Sequence, residues 1–225
     1  MKNLYRALLS TALIASASFS ASANLITNGS FELGNDLNES GWEVYQSLDD
    51  GDGNTTDWTT ISGAGIEIQA NGTGTIDAQD LDYKVELDSH NGNGGASGVT
   101  TNTLMAQLVE GLTVNAFYEL SVWYSPRTSD TNTNAIFAYA GDEPDVTSNP
   151  GKLGEMIAAN KGWVQYSFVF QATAVDMLVG FGAQGSANTI GGYIDNVSLT
   201  KVPAPSSVAL LAMVIFALRV FAKRK

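Results

Sequence analysis

Short segments that alternate polar and apolar residues follow one another through the middle of this chain. The clearest are residues 118–124 and 163–170, and in the second of these the even-numbered positions are apolar or aromatic. Because successive side chains of a strand point to opposite faces, this period of two predicts strands buried on one face. Similar segments occupy residues 65–69, 83–87, 104–109, 135–139, 177–181 and 193–200. Strands this short and this numerous, with no internal helix pattern, predict an all-β fold, a β-sandwich.

The segments between these strands are rich in Gly, Asn, Asp and Thr, which favour turns. Residues 90–102 and the acidic stretch 141–154 are predicted to be loops. Residues 49–54 resemble the start of an EF-hand loop, but Thr55 stands where Gly is needed and Ile61 where the bidentate Glu belongs. An ordinary solvated turn is therefore predicted there.

The chain begins with the pattern of a secretion signal. Lys2 and Arg6 give a basic start, residues 7–19 are apolar or small, and residues 21–23, Ala-Ser-Ala, form a good cleavage site. This pattern predicts a signal peptide over residues 1–23 and a mature, exported chain that starts at Asn24.

The chain ends with a short apolar segment and a basic terminus. Residues 208–222 are apolar except for Arg219, and Lys-Arg-Lys follows at 223–225. A helix of this length reaches only about 22 Å, whereas the hydrocarbon core of a bilayer is ~30 Å thick. A weak transmembrane helix is predicted, with its basic end in the cytoplasm and the preceding domain outside it.

The order of parts at the C-terminus resembles the PEP-CTERM sorting tail, which has a Pro-x-Pro signature, a short transmembrane helix and a basic end. The sorting motif is Val202-Pro203-Ala204-Pro205, with Ala204 where that family usually has Glu. The resemblance implies an inner-membrane-anchored precursor, recognition by an exosortase-type membrane peptidase, and release to the cell surface or the extracellular matrix. An ordinary C-terminal membrane anchor is the alternative.

Removing both end segments, 1–23 and 203–225, leaves one domain over residues 24–202. The five basic residues and all 23 acidic residues that lie there give this domain a net charge of −18. Nucleic acid is therefore excluded as a partner, because phosphate binding needs a basic face. The chain has no cysteine, which excludes disulfides, thiol nucleophiles and thiolate metal sites.

The two ends of the domain resemble the galactose-binding-like jelly rolls, the fold of many carbohydrate-binding modules. The opening Asn-Leu-Ile-Thr-Asn-Gly-Ser-Phe-Glu at 24–32 and the closing Gly-Gly-Tyr-Ile-Asp-Asn-Val-Ser-Leu at 191–199 carry the resemblance. Residues 65–69, 85–90 and 125–127 match a bacterial exported branch of the same superfamily. The resemblance implies a jelly-roll β-sandwich in which the first and last strands are neighbours.

Asp195 is a candidate metal ligand in the last strand. It shares its parity with Val197 and Leu199, so the carboxylate is predicted to point inward. Burying an unpaired charge there would cost too much free energy, so the carboxylate needs a partner. A structural Ca²⁺ shared with Glu32 and backbone carbonyls would satisfy it with hard oxygen ligands. The resemblance to jelly-roll modules implies the same role for Glu32 and Asp195. The alternative is that Asp195 accepts hydrogen bonds from a loop backbone.

A ligand site is predicted on one sheet face and the loops at its rim. Flat aromatic surfaces, a guanidinium fork and carboxylate acceptors suit sugar recognition. Trp123 has the outward parity in a strand whose other face is apolar, whereas Trp42 and Trp163 are predicted to be core. The candidate ligand-binding residues are Trp123, Arg127, Glu67, Glu86, Asp88 and His90, with Trp58 and Tyr124 as further aromatic surfaces.

Most patterns typical of catalytic sites are absent from the sequence, although its 23 acidic residues leave a carboxylate pair for glycoside hydrolysis open. The chain has one histidine and no G-x-S-x-G elbow, which leaves a Ser-His-Asp hydrolase and the common zinc sites without support. The sequence therefore predicts a non-catalytic, exported protein that binds polysaccharide. Two alternatives stay open: a structural matrix or adhesion protein without a small ligand, and a polysaccharide-active enzyme.

The sorting-tail hypothesis predicts that the mature surface form has lost its C-terminal segment. Cleavage is expected near residues 203–207, because the apolar segment that follows is too short to form a stable transmembrane helix. Mass spectrometry of protein recovered from the cell exterior measures the new terminus. Recovery of chains that still end at Lys225 would contradict the hypothesis.

Overall fold

The computed structural model describes residues 23–37, 39, 41–49, 57–141 and 151–203. Residues 1–22 of the predicted signal peptide, Ala204 and Pro205 of the sorting motif, and the C-terminal apolar segment lie outside these residues. Within them, no helix is long and apolar enough to cross a membrane.

Two antiparallel sheets of six strands each form a β-sandwich, which confirms the predicted jelly-roll fold class. The first sheet has the order β1-β4-β5-β12-β7-β10 and the second β2-β3-β6-β11-β8-β9. The strands are β1 Trp42–Tyr45, β2 Ser47–Leu48, β3 Trp58–Ser62, β4 Ile66–Ala70, β5 Tyr83–Glu86, β6 Leu104–Val109, β7 Phe117–Pro126, β8 Ala135–Gly141, β9 Lys152–Met156, β10 Val164–Gln171, β11 Met177–Gln184 and β12 Gly192–Lys201. In the described part of the chain a short helix, α1 Thr131–Asn134, follows β7 and is capped by the side chain of Asp130.

All eight segments predicted from the period of two are strands. Within the predicted loop at 141–154, Gly141 ends β8 and residues 152–154 belong to β9, whereas residues 142–150 lie outside the described part of the chain. The opening segment at 24–32 is not a strand, but it lies beside the last strand: the amide of Leu25 donates to the carbonyl of Leu199, and that of Val197 to the carbonyl of Gly29.

The core lies between the two sheets and consists of alternate side chains. In β7, Leu120, Val122 and Tyr124 are buried there, and in β10 the even-numbered Tyr166 and Phe168 pack against them. This alternation confirms the outward parity of Trp123, which shares the outer face of β7 with the exposed or half-buried residues at 119 and 121. We use "outer face" for the side of a sheet that points away from the other sheet.

A β-bulge in β12 overturns the predicted parity of the last strand. Asn196 has a left-handed backbone conformation (φ 47°), and the register with β7 shifts between Asp195 and Ser198. One extra residue in a strand reverses the side of every residue beyond it. Ile194 and Val197 therefore both belong to the core, whereas Asp195 lies on the outer face, opposite Trp123.

The aromatic assignments made from sequence are partly wrong. Trp58 and Tyr124, predicted as ligand surfaces, are fully buried in the core. Trp42 and Trp163, predicted as core, are half-buried and lie outside it. Trp42 is opposite Gln69 on the outer face of the first sheet, and the indole N–H of Trp163 donates to the carbonyl of Asp77 (2.9 Å).

Candidate functional site

A layer of buried polar side chains covers part of the outer face of the first sheet. Glu67 of β4 and Glu86 of β5 are directly opposite each other in the register, and neither is exposed. Two like charges at this spacing repel, so both carboxylates need donors. Gln69 supplies one: its Nε2 donates to Oε1 of Glu67 (2.8 Å) and to Oε2 of Glu86 (2.6 Å).

Arg127 neutralises the more deeply placed carboxylate. Its Nη1 lies 2.7 and 2.6 Å from the two oxygens of Glu86 and also donates to the carbonyl of Thr189 (3.1 Å). The amide of Gly191 donates to Oε1 of Glu86 (2.6 Å). Burial and the Glu67 carboxylate raise the pKa of Glu86, and Arg127 opposes that shift. The pair joins β5, the end of β7 and the segment before β12.

His90 extends the same network to the surface. Its Nδ1 lies 2.7 Å from Oε2 of Glu67, and its backbone amide donates to that oxygen (3.0 Å). The ring packs on Trp42 with 4.6 Å between the ring centroids. About a third of the His90 side chain (35%) is exposed. A continuous chain of hydrogen bonds thus runs from His90 through Glu67, Gln69 and Glu86 to Arg127.

Asp88 has a separate and structural set of partners. The hydroxyl of Thr101 donates to its Oδ1 (2.5 Å), and the amides of Asn188 and Ile190 donate to its Oδ2 (3.0 Å each). The side chain is fully buried. Asp88, Glu67 and Glu86 were predicted to offer hydrogen-bond acceptors to a sugar. In the structure their carboxylate oxygens accept hydrogen bonds from other groups of the protein. Direct ligand contact by these three residues stays a prediction.

Residues 71–82, which connect β4 to β5, form a strap across the outer face of the first sheet. Buried Lys84 donates to the carbonyls of Thr73 (2.9 Å) and Ala70 (3.4 Å) and lies 5.3 Å from the ring centroid of Tyr193. Burial lowers the pKa of Lys84 to about 8. Gly74 lies against the hydroxyl end of Tyr193, where a Cβ would collide. The strap therefore closes this part of the face to solvent.

Asp195 and Glu32 hold the second half of the strap through its backbone. Oδ2 of Asp195 accepts from the amides of Gln79 (2.7 Å) and Asp80 (2.9 Å), and its Oδ1 accepts from the amide of Asn196 (2.6 Å). Oε1 of Glu32 accepts from the amides of residues 82 and 83 (3.0 and 2.9 Å). This is the alternative foreseen for Asp195, a carboxylate that accepts hydrogen bonds from a loop backbone.

The donors around Asp195 do not favour a cation in this arrangement. Ca²⁺ requires several oxygen ligands, whereas the groups within hydrogen-bond distance of this carboxylate are N–H donors. Among the described residues, no group of three or more His, Cys, Asp or Glu side chains is placed to hold a metal ion. Calcium binding by Glu32 and Asp195 stays a prediction that solution measurements must check.

Trp123 stands on the open half of the first sheet's outer face. Its register partners are Asp195 on β12 and Gln165 on β10. The surrounding outer positions are polar: Gln165 is exposed, Asp195 is buried, and the hydroxyls of Ser121 and Ser198 are 2.7 Å apart. Arg127, predicted to share a surface with Trp123, directs its guanidinium to Glu86 instead.

A groove of about 450 Å³ lies on the outer face of the second sheet. Its apolar floor includes Leu104 and Phe137, which form a small cluster with Tyr139 separate from the main core. The ring of Phe137 lies against the backbone at Gly182, where a Cβ would collide with it. The groove is lined by Ser62, Thr100, Asn102, Thr103, Leu104, Phe137, Lys152, Ala183, Gln184 and Gly185.

Polar groups surround this apolar floor. Nζ of Lys152 lies 5.6 Å from the ring centroid of Phe137, donates to Oε1 of Gln184 (3.1 Å) and forms an ion pair with Glu155. Nδ2 of Asn102 donates to the carbonyl of Gly185 (2.9 Å). The buried Oδ1 of Asn102 has no hydrogen-bond partner within the described part of the chain.

Sequence reasoning missed the groove, although β8 carries a signal for it. Residues 135–140 are all buried, those that point to the outer face as well as those that point to the core. A strand with a solvated outer face alternates, and one without alternation indicates apolar groups on both sides. Phe137 and Tyr139, two large apolar residues at the outward positions of β8, carry this signal.

No family model matches the sequence, and no curated protein matches it. Among solved structures, a cyclase from Fischerella sp. TAU in complex with 4-(1H-indol-3-yl)butan-2-one has a TM-score of 0.56 at 14% identity, covering 82% of this chain and 100% of that chain. The Stig cyclase Fisc of the same organism has a TM-score of 0.52 at 16% identity, covering 83% and 100%. A CBM4 structure has a TM-score of 0.40 at 18% identity, covering 79% and 99%. The likeness to the two cyclases shows the β-sandwich fold alone.

The calcium hypothesis predicts that the melting temperature depends on calcium through Asp195. A ligand that binds only the folded state stabilises it, by roughly 2.7 kcal/mol at ~100 times its Kd. Melting is measured in chelator and in excess Ca²⁺ for the wild type, for Asp195→Ala and for Glu110→Ala, an exposed acid elsewhere. The difference is expected to vanish only in Asp195→Ala. Equal melting of the wild type in both solutions would mean that the site does not exist.

Burial of Asp195 also predicts a pH dependence of stability in the presence of chelator. Burial raises the pKa of Asp195 to about 7. The unfolded side chain titrates near pH ~3.9, so between these values the folded state holds a proton that the unfolded state has released. The free energy of unfolding is therefore expected to fall as the pH rises from about 4 to 7. Asp195→Asn should show a flatter dependence, and an unchanged slope would contradict this role.

Proposed function

We propose that this domain binds polysaccharide without transforming it, and that the groove on the second sheet is the principal site. The observation that carries the proposal is the pairing of an apolar floor, Leu104 and Phe137, with a rim of amide, hydroxyl and ammonium groups. A sugar ring has an apolar face and a border of hydroxyls, so it matches both parts of such a groove.

The open shape of the groove favours a polymer as the ligand. The groove runs over an outer sheet face and is not an enclosed cavity. Its rim carries several donors and acceptors, and among the described residues one ionic pair, Lys152 with Glu155. Recognition of this kind depends on stacking and on a few hydrogen bonds. It favours neutral or weakly charged sugars, because a domain with a net charge of −18 repels acidic ones.

Non-catalytic action is supported by the state of the paired carboxylates. Glycoside hydrolysis needs two carboxyl groups that reach the scissile bond from opposite sides. Glu67 and Glu86 are adjacent but buried on the other sheet, and their oxygens accept from Gln69, Arg127 and backbone amides. The proposal includes export by the N-terminal signal and delivery to the surface or matrix by the C-terminal tail, both supported by the sequence.

Two exposed glutamines on opposite sides of the sandwich provide a matched test of the site. Gln184 lies in the groove, and Gln165 lies beside Trp123 on the first sheet. Gln184→Ala is expected to weaken binding about five-fold, as for the loss of one hydrogen bond worth about 1 kcal/mol, and Gln165→Ala to leave it unchanged. Affinity electrophoresis in gels that contain different polysaccharides measures the retardation, with melting temperature as the folding control.

Other outcomes of this experiment would indicate a different binding site or a different function. Weaker binding by Trp123→Ala and Gln165→Ala, with Gln184→Ala normal, would move the site to the first sheet's outer face, as the sequence predicted. A wild type that no polysaccharide retards would favour the structural matrix or adhesion protein. Release of reducing ends from a bound polysaccharide would establish an enzyme.

A further inference from the structure

Strand β10 is a long sheet edge. It is the last strand of the first sheet and pairs along its whole length, Val164–Gln171, with β7. Within the described part of the chain, no strand pairs with its other side. The backbone groups on that side are therefore available to another strand, since alternate residues of an edge strand direct their N–H and C=O away from the sheet.

The other sheet edges are protected in ways that β10 is not. Edge strands normally avoid pairing with other chains by being short or by carrying charge or proline. Strand β2 has two residues, β1 has four and includes Glu43, and β9 includes Lys152 and Glu155. Strand β10 has eight residues, VQYSFVFQ, with neither charge nor proline. In a domain with a net charge of −18 this uncharged edge is exceptional.

The side chains of β10 are suited to pairing on both faces. Tyr166, Phe168 and Phe170 point to the core side, and residues 165, 167 and 169 point outward. Two valines of this strand are largely exposed to solvent, Val169 at 59% and Val164 at 48%. Cross-strand pairs of aromatic and β-branched residues are the ones that stabilise antiparallel sheets.

We propose that β10 pairs antiparallel with β10 of a second copy of this chain, about a two-fold axis at Ser167. Residues directly opposite each other in an antiparallel pair share a face, so the axis must pair positions of equal parity. An axis at Ser167 does so: Tyr166 meets Phe168 on the core side, and Gln165 meets Val169 on the outer side. The two first sheets then form one continuous sheet.

A second copy fits this edge better than an unrelated strand. The contact requires two acidic domains to approach, and β10 is where neither presents a charge. The interface is the same patch on both copies, so it closes at a dimer, and the short or charged remaining edges do not extend it. The dimer does not depend on the proposed function. If both hold, it carries two grooves and gains avidity for a polymer.

A charge at the two-fold axis tests the proposal. Ser167→Lys places two ammonium groups directly opposite each other in the dimer, and it changes an exposed position that contributes little to the monomer. Val175→Lys introduces the same charge at a position that is 53% exposed in the turn after β10. Sedimentation of the purified full-length chain is expected to give a dimer for the wild type and Val175→Lys, and a monomer for Ser167→Lys.

Cysteine cross-linking tests the register, because the chain has no cysteine of its own. Ser167→Cys brings two thiols face to face at the axis, so mild oxidation is expected to give a covalent dimer, whereas Val175→Cys should give little. A monomeric wild type would overturn the proposal. So would a dimer that Ser167→Lys leaves intact, or equal cross-linking of both cysteine variants, since association would then use another surface.

Discussion

The buried ion pair of Glu86 and Arg127 is the interaction on which the rest of the first sheet depends. A carboxylate with no exposure is tolerated only when its charge and lone pairs are satisfied. Glu86 achieves this with groups from three places in the chain: Gln69, Arg127 and the amide of Gly191. Removing one partner of such a pair typically costs about 3–5 kcal/mol, so the pair fixes how β4, β5, β7 and β12 assemble.

The same requirement explains why part of the first sheet's outer face is closed by the strap. Lys84 and Asp195 are charged side chains on the outer face of the first sheet, and the strap at 71–82 supplies their backbone partners. On the second sheet the groove is lined by Phe137, Leu104 and polar groups, and the charge of Lys152 is paired with Glu155 at the surface.

The sequence alone determined the strands and many of their faces. Alternation is a local property of neighbouring residues, so the eight predicted strands, the inward even positions of β10 and the outward parity of Trp123 all follow from it. The adjacency of the first and last segments followed from the resemblance to jelly rolls, and the backbone hydrogen bonds between Leu25 and Leu199 agree with it. Local pattern was enough wherever the strand was regular.

Only the tertiary structure decided what covers each face. The bulge at Asn196 moved Asp195 from the core to the outer face, and no pattern in residues 193–200 marks the extra residue. Trp58 lies in the core and Trp42 does not, contrary to the prediction. Alternation shows which residues share a face, but not whether another sheet, a strap or solvent covers that face. The groove at Phe137 arises for the same reason: its residues come from distant segments that only the packed sandwich brings together.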